Sequence, residues 1–190
     1  MRSPRDKALI RRFQRVHVRA VDRVSGFMVA TWDDLDDYDE SGVEVFRERT
    51  SVMLAGSKAA AVAAAVALYA GLTRRRVGIR PDDVVVDMPI NKPFLAMWHA
   101  LKMGRPWDEA VASGRGAADA FGSNWVTSTV RQTAQEFTTT ADVRPSWWER
   151  ETNDDACEWC QTVAMQHYLS AETADFGHDR CFCTPVPVFG

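Results

Sequence analysis

Cysteine is absent from the first 156 residues of this 190-residue chain. No disulfide can brace that part, so it must fold on burial alone. Several catalytic signatures are also missing: there is no G-x-x-x-x-G-K-[ST], no G-x-G-x-x-G, no H-E-x-x-H and no G-x-S-x-G. These absences argue against the common nucleotide-binding, zinc-protease and serine-hydrolase classes. Long apolar runs are lacking too. The most apolar stretch, Ala59 to Leu72, has 14 residues and is mostly alanine, which is short for crossing a bilayer. It reads instead as a helix that packs closely on its neighbours, and no membrane association is expected. The N-terminus is densely charged and has no apolar h-region, so a secretory signal is not expected. Neither sign of charge dominates. The net charge is −3 and the pI about 5.8, which gives no overall nucleic-acid footprint.

The charge is nevertheless polarised. Residues 1–23 carry eight Lys/Arg against Asp6 and Asp22, and residues 33–48 carry eight acids against Arg47. One reading is that the two segments attract each other across a helical hairpin or solvate two faces. The other is a basic arm, with Arg11, Arg12, Arg15 and Arg19 on one broad face, that meets an acidic protein or packaged DNA.

Apolar residues recur at three and four from Leu9 through Phe13, Val16, Ala20, Val24 and Phe27 to Thr31, which predicts a helix over 5–32. At ~1.5 Å per residue it is about 40 Å long. Such a wide apolar stripe is expected to need a partner surface or self-association. The acidic run 33–40 ends the pattern, and Ser41 is a candidate cap for a second helix reaching about Leu72, with Gly71 and Arg74–Arg76 at its end. A connector follows, with Val84–Val86 as a candidate short strand. A third helix is expected over 93–103 and a fourth from Trp107, interrupted at Gly114 and Gly116 and resuming over 123–137. Thr138–Thr140 reads as a turn. The seven tryptophans are expected in core or interface.

All four cysteines fall between residues 157 and 183. Cys157 and Cys160 form C-x-x-C; His178, Cys181 and Cys183 form H-x-x-C-x-C. Tetrahedral zinc takes four thiolate or imidazole ligands, and C-x-x-C is a recurrent half-site. Five candidates thus compete for four positions. If 181–183 is extended, both of its thiols face one way and His178 is the spare; if it turns, one thiol swings off. The competing reading is disulfides or free thiols, which a reducing site of synthesis disfavours. A catalytic metal is a weaker reading, because nothing marks Asp155 or Glu158 as a base. Trp147–Arg150, Tyr168–Thr173 and Cys181–Phe189 read as strands, with Asp154 or Asp155 capping a short helix and Trp159 covering the metal. His167 reads as an ordinary polar residue. Pro185 and Pro187 place the tail at an edge or in an extended arm. The fold expected is mainly α, with a helical part, 1–141, and a small metal-stapled α+β module, 142–190. So small a module has little core of its own.

The run Asp155-Ala-Cys157-Glu-Trp-Cys160, then Tyr168 and Ser170, then His178-Asp-Arg-Cys181-Phe-Cys183 and Pro185-Val-Pro-Val-Phe189, resembles the C-terminal module of Mu F-like minor capsid proteins. These are head morphogenesis proteins of tailed phages, here of actinobacterial type. Asn91-Lys-Pro-Phe94, Trp98-His-Ala-Leu101, Gly104, Ala110 and Gly114 are similar to the helical region of that family. The resemblance covers roughly residues 90–190. It implies a non-enzymatic virion component, made in the host cytoplasm, present in few copies at the portal vertex, with portal or capsid proteins as partners. Some members carry a fused toxin or transferase domain, which is not expected here. The rival readings are a nucleic-acid-binding module that uses the basic helix, and a small metal-dependent hydrolase.

Overall fold

In the computed structural model, four long or medium helices carry a two-stranded sheet at one end. The structure describes residues 2–140, 144–152, 156, 158–164, 166–168 and 183–189. In chain order the elements are α1 (Pro4–Asp33), α2 (Glu40–Thr73), a 3-10 turn (Pro81–Asp83), α3 (Lys92–Lys102), α4 (Trp107–Thr140), β1 (Trp147–Glu151), α5 (Glu158–Ala164) and β2 (Thr184–Val188).

α1 starts where the local chemistry allows it to. Ser3 caps it by accepting the Asp6 N–H at 3.2 Å, and Pro4 occupies a first-turn position whose N–H is not needed. Its buried face, including Phe13, His17, Val21, Val24, Met28 and Trp32, repeats at three and four and is covered by α2 and α4. The inward part of the stripe expected to need a partner surface is covered within the chain, while Val16 is 44% exposed and Leu9, Ala20 and Phe27 are only partly buried. α2 is capped by Asp39 rather than Ser41: the Asp39 carboxylate accepts the N–H of Ser41 at 2.8 Å and of Gly42 at 3.3 Å. The Ser41 hydroxyl bond and these N–H bonds hold the Asp39 carboxyl below its usual range. At the other end Gly71 is still helical, and Arg74, at φ 56°, makes the left-handed cap itself.

The helix carrying the alanine run is longer than that run. By length and composition α2 meets the measure for a membrane-crossing helix, with an 18-residue window of mean hydropathy 1.7 of which 33% is buried within the chain. The 14-residue count missed this because the apolar character extends upstream through Val52, Met53 and Leu54. Those residues do not all face inward; Leu54 is buried while Val52 is 81% exposed.

Val84–Val86 forms no strand. Val84 is fully buried and Val85 points outward, so the connector is pinned by one side chain and pairs with no ladder among the described residues. Gly114 and Gly116 do not break α4, which runs unbroken to Thr140. Gly114 instead makes room: a Cβ there would fall on the Trp32 ring. At Gly122 a Cβ would lie 2.7 Å from the Ser25 Cα, and the Ser25 hydroxyl donates to the Asp119 carbonyl at 2.9 Å. α1 and α4 thus approach backbone to backbone.

Two aromatic clusters close the ends of the helical body. In one, Trp32 lies 4.9 Å from Phe94 and 5.0 Å from Tyr38 between ring centroids, and the Trp98 indole N–H donates to the Tyr38 carbonyl at 3.2 Å. In the other, Tyr69 and Phe137 (4.8 Å apart) receive Trp148 from β1, which stands edge-on to both at 6.2 Å. Of the tryptophans, Trp32 and Trp148 are core, whereas Trp107 and Trp159 are about half exposed.

Candidate functional site: the cysteine module

β1 and β2 pair antiparallel, Trp147 opposite Val188 through Glu151 opposite Thr184. The backbone of Trp148 turns the other way and exchanges two hydrogen bonds with Tyr168, at 2.7 and 2.9 Å. Tyr168 bonds there as an isolated bridge; the remainder of the strand expected to Thr173 lies outside the described residues. The alternation explains the prolines. Pro185 and Pro187 sit opposite Arg150 and Trp148, at positions where an N–H would point away from β1. The ladder loses nothing, and the outer side of β2 loses two donors that could recruit another strand.

The module is fastened to the helices by more than Trp148. Val186 is fully buried in the same hydrophobic cluster as the helical core. Arg2 holds Glu149 at 2.9 Å and Glu151 at 3.3 Å, and the Gln14 amide donates to the Glu151 carbonyl at 3.2 Å. Burial pushes the Glu149 carboxyl up, but the Trp147 indole N–H and Arg2 outweigh it and leave it below the usual range. His167 is exposed, stacks on Trp147 at 5.3 Å and lies 3.7 Å from Glu149.

Of the five candidate ligands, Cys160 and Cys183 lie within the described residues; Cys157, His178 and Cys181 lie outside them, as do Asp154 and Asp155. Cys160 is on α5 and Cys183 immediately precedes β2. Both are buried, at 0% and 6% exposure, and they pack in one small cluster with Ala156. One thiol from each half of the motif therefore reaches the same enclosed spot, across 23 positions of sequence. Thiolate-rich, closed surroundings are what a structural zinc takes, and two adjoining thiols are also what a disulfide needs. Among the described residues no group of three or more His, Cys, Asp or Glu gathers to hold a metal. Trp159, between the two halves of C-x-x-C, is 48% exposed, and the Arg150 guanidinium lies 5.8 Å from its ring centroid. Arg150 itself is 3% exposed. A buried arginine in a strand of alternating burial was not anticipated, although its inward position follows from the period of two.

The basic face stands apart from the module. Arg11, Arg12, Arg15 and Arg19 are all exposed on α1. The acidic run does not meet them. Arg19 is 14 positions from Asp33 along one helix, or about 21 Å at ~1.5 Å per residue, and the other three lie farther away. Asp33 is held by Arg115 at 2.9 Å and Asp34 by Arg49 at 3.1 Å. The expected attraction across the hairpin fails because the acids sit at the hairpin's turn and the arginines toward its open end. His17, on the opposite side of α1, is buried against α4. Burial, and secondarily Arg131, lower its pKa to about 4. The sequence signal was its place in the apolar stripe.

No curated protein and no solved structure matches the chain. The family model of the VG15 protein matches residues 5–190, from the first turn of α1 through β2. The chain belongs to the VG15 protein family, a viral (phage) gene-product family.

Proposed function

We propose that this chain is a structural, non-enzymatic minor capsid or head morphogenesis protein of a tailed phage, seated at the portal vertex or on the capsid interior. The observation that carries the reading is the family match, which spans the helical body and the cysteine module alike. The resemblance of the module to Mu F-like proteins supplies the finer role. The architecture suits a scaffold: long helices give a rigid body, and a small clasped sheet gives a fixed docking end.

Zinc is part of the proposal. Cys157, Cys160 and two of His178, Cys181 and Cys183 would hold it, and the shared burial of Cys160 and Cys183 fits a closed thiolate site. Its contribution would be to folding rather than to a reaction. The partners proposed are portal and capsid proteins, with self-association through the same surfaces. The test is direct: mass spectrometry of purified virions and of portal-containing heads, with metal analysis of the purified protein. Presence in heads at low copy with about one zinc per chain is expected. Absence from virions overturns the structural role, and metal-free protein with oxidised cysteines overturns the zinc.

The exposed arginines of α1 favour one second reading, contact with packaged DNA. Arg12→Glu with Arg19→Glu separates the two. Lost head incorporation with unchanged DNA affinity supports the protein contact; normal incorporation with lost, salt-dependent DNA binding supports the other.

A further inference from the structure

An open apolar groove runs between the antiparallel helices α1 and α2. A first cavity there has a volume of about 620 Å³ and is floored by Ala20, Phe27, Met53 and Gly56, with Arg19, Arg23 and Arg49 at its margins. A second cavity of about 250 Å³ lies farther along the same two helices, between Leu9 and Phe13 on one side and Ala64 and Leu68 on the other, beside Arg12. From Leu9 to Phe27 the two together span about 27 Å at ~1.5 Å per residue, or five helical turns. Val52 and Val16 stand exposed along them, at 81% and 44%. No carboxylate lines either cavity among the described residues. Arg49 is shared with Asp34.

We propose that this groove docks an amphipathic α-helix of a partner protein, apolar along one face and edged with glutamate or aspartate. Three features select that occupant. The small floor residues Ala20, Gly56 and Ala64 let a helix backbone approach closely. The length matches an apolar stripe of about 18 residues, the helix-in-groove mode of recognition. Arg19 and Arg23, with no carboxylate in the groove lining to face them, favour carboxylates at the edges of the incoming helix. A second copy docked face to face would set arginine against arginine. Phosphates of DNA would meet the margins and leave the apolar floor uncovered. The inference does not depend on the phage-head role.

The test uses the full chain and two labelled synthetic 18-residue helical peptides. Both carry leucine at three- and four-residue spacing; one is flanked by glutamate and the other by lysine. Binding is read by fluorescence anisotropy. Gly56→Leu fills the groove, and because a Cβ at Gly56 meets nothing within 4 Å it leaves the fold intact, which circular dichroism checks. Arg19→Glu with Arg23→Glu reverses the margins. The glutamate peptide is expected to bind at least tenfold more tightly than the lysine peptide, to weaken at least tenfold with Gly56→Leu, and to lose its advantage to the lysine peptide on the reversed margins. No binding of the glutamate peptide, equal binding of both peptides, or binding indifferent to Gly56→Leu overturns the proposal. So does a dimer of the protein that Gly56→Leu abolishes. Binding of duplex DNA or phosphatidylglycerol vesicles that needs Arg19 and Arg23, without peptide binding, reassigns the face and overturns it too.

Discussion

The helical body and the cysteine module are held together by different means. The body has continuous packing: α1, α2, α3 and α4 share one cluster of buried apolar side chains, with tryptophan and phenylalanine at its upper end. Among its described residues the module has two five-residue strands and a seven-residue helix. It places Trp148 and Val186 into the body's cluster and keeps Cys160 and Cys183 in a separate one. The body contributes most of the buried apolar side chains of that cluster. The module combines a borrowed anchor with a thiol cluster, because so few residues enclose too little core. The first means is diffuse and tolerates small losses; the second is concentrated in a few groups.

That contrast can be broken most severely at the thiols. Structural zinc contributes on the order of 10 kcal/mol in small modules. Chelation of zinc-loaded protein is expected to unfold the segment after residue 144 while most helical circular dichroism remains. Loss of the whole helical signal on chelation would show the reverse, that the body leans on the module. Next comes the anchor. Trp148→Ala removes a side chain that is 1% exposed, and truncations of that kind cost about 3–5 kcal/mol. Proteolysis between 141 and 152 should accelerate while the body stays resistant; unchanged cleavage would mean that Trp148 is not the fastening.

A third prediction sharpens the body's side of the comparison through pH. Burial lowers the His17 pKa to about 4 from its ordinary 6.5, so the folded state resists its protonation. Its contribution is fully present above about 6.5 and is lost as pH falls toward 4, because the unfolded chain then binds the proton more readily. At about 1.4 kcal/mol per unit the loss approaches ~3 kcal/mol. His17→Gln should flatten denaturant midpoints between pH 6.5 and 4. An equal slope in the variant would place the acid sensitivity elsewhere.

The smallest effects test close packing. Gly122→Ala pushes a Cβ onto the Ser25 backbone at 2.7–2.8 Å, and overpacking of this kind costs about 1–3 kcal/mol. Gly116→Ala, six positions away on the same helix, meets nothing within 4 Å and is expected to stabilise by up to about 1 kcal/mol through helix propensity. Thermal unfolding of the pair should show opposite signs. Two shifts of one sign would contradict the backbone approach of α1 and α4.

Gly114 marks a boundary between local and tertiary information. The periodicity of Phe13, Val24 and Thr31 was enough for α1, and the alternation at Trp147–Arg150 for β1. Gly114 looked like a helix break because glycine weakens a helix in isolation. Its use, room for Trp32, requires knowing that residue 32 arrives there. Asp39 against Ser41 as the cap is the same kind of ambiguity, two capping residues within one turn, settled by how the loop enters α2. At the candidate site the clustering of cysteines was legible, and so was the likelihood that their two motifs share one spot; the meeting of Cys160 with Cys183 needed the sheet register that brings residue 183 back beside α5.

By itself the sequence determined the course of α1, α2 and α3 and the start of α4 at Trp107, though not its unbroken run to Thr140, together with the strand at Trp147, the edge position of Pro185 and Pro187, and the concentration of thiols near the end. Those properties follow from local chemistry: side-chain period, caps, and a missing N–H. The tertiary structure alone decided that the acidic turn pairs with Arg49 and Arg115 instead of the basic face, that only the inward residues of the α1 stripe are covered from within, that Trp148 closes the core of the helices, and that an arginine-edged groove stays open between α1 and α2. Each of these depends on which surfaces meet across more than twenty positions of chain, and burial rewards such meetings only after every element has been placed.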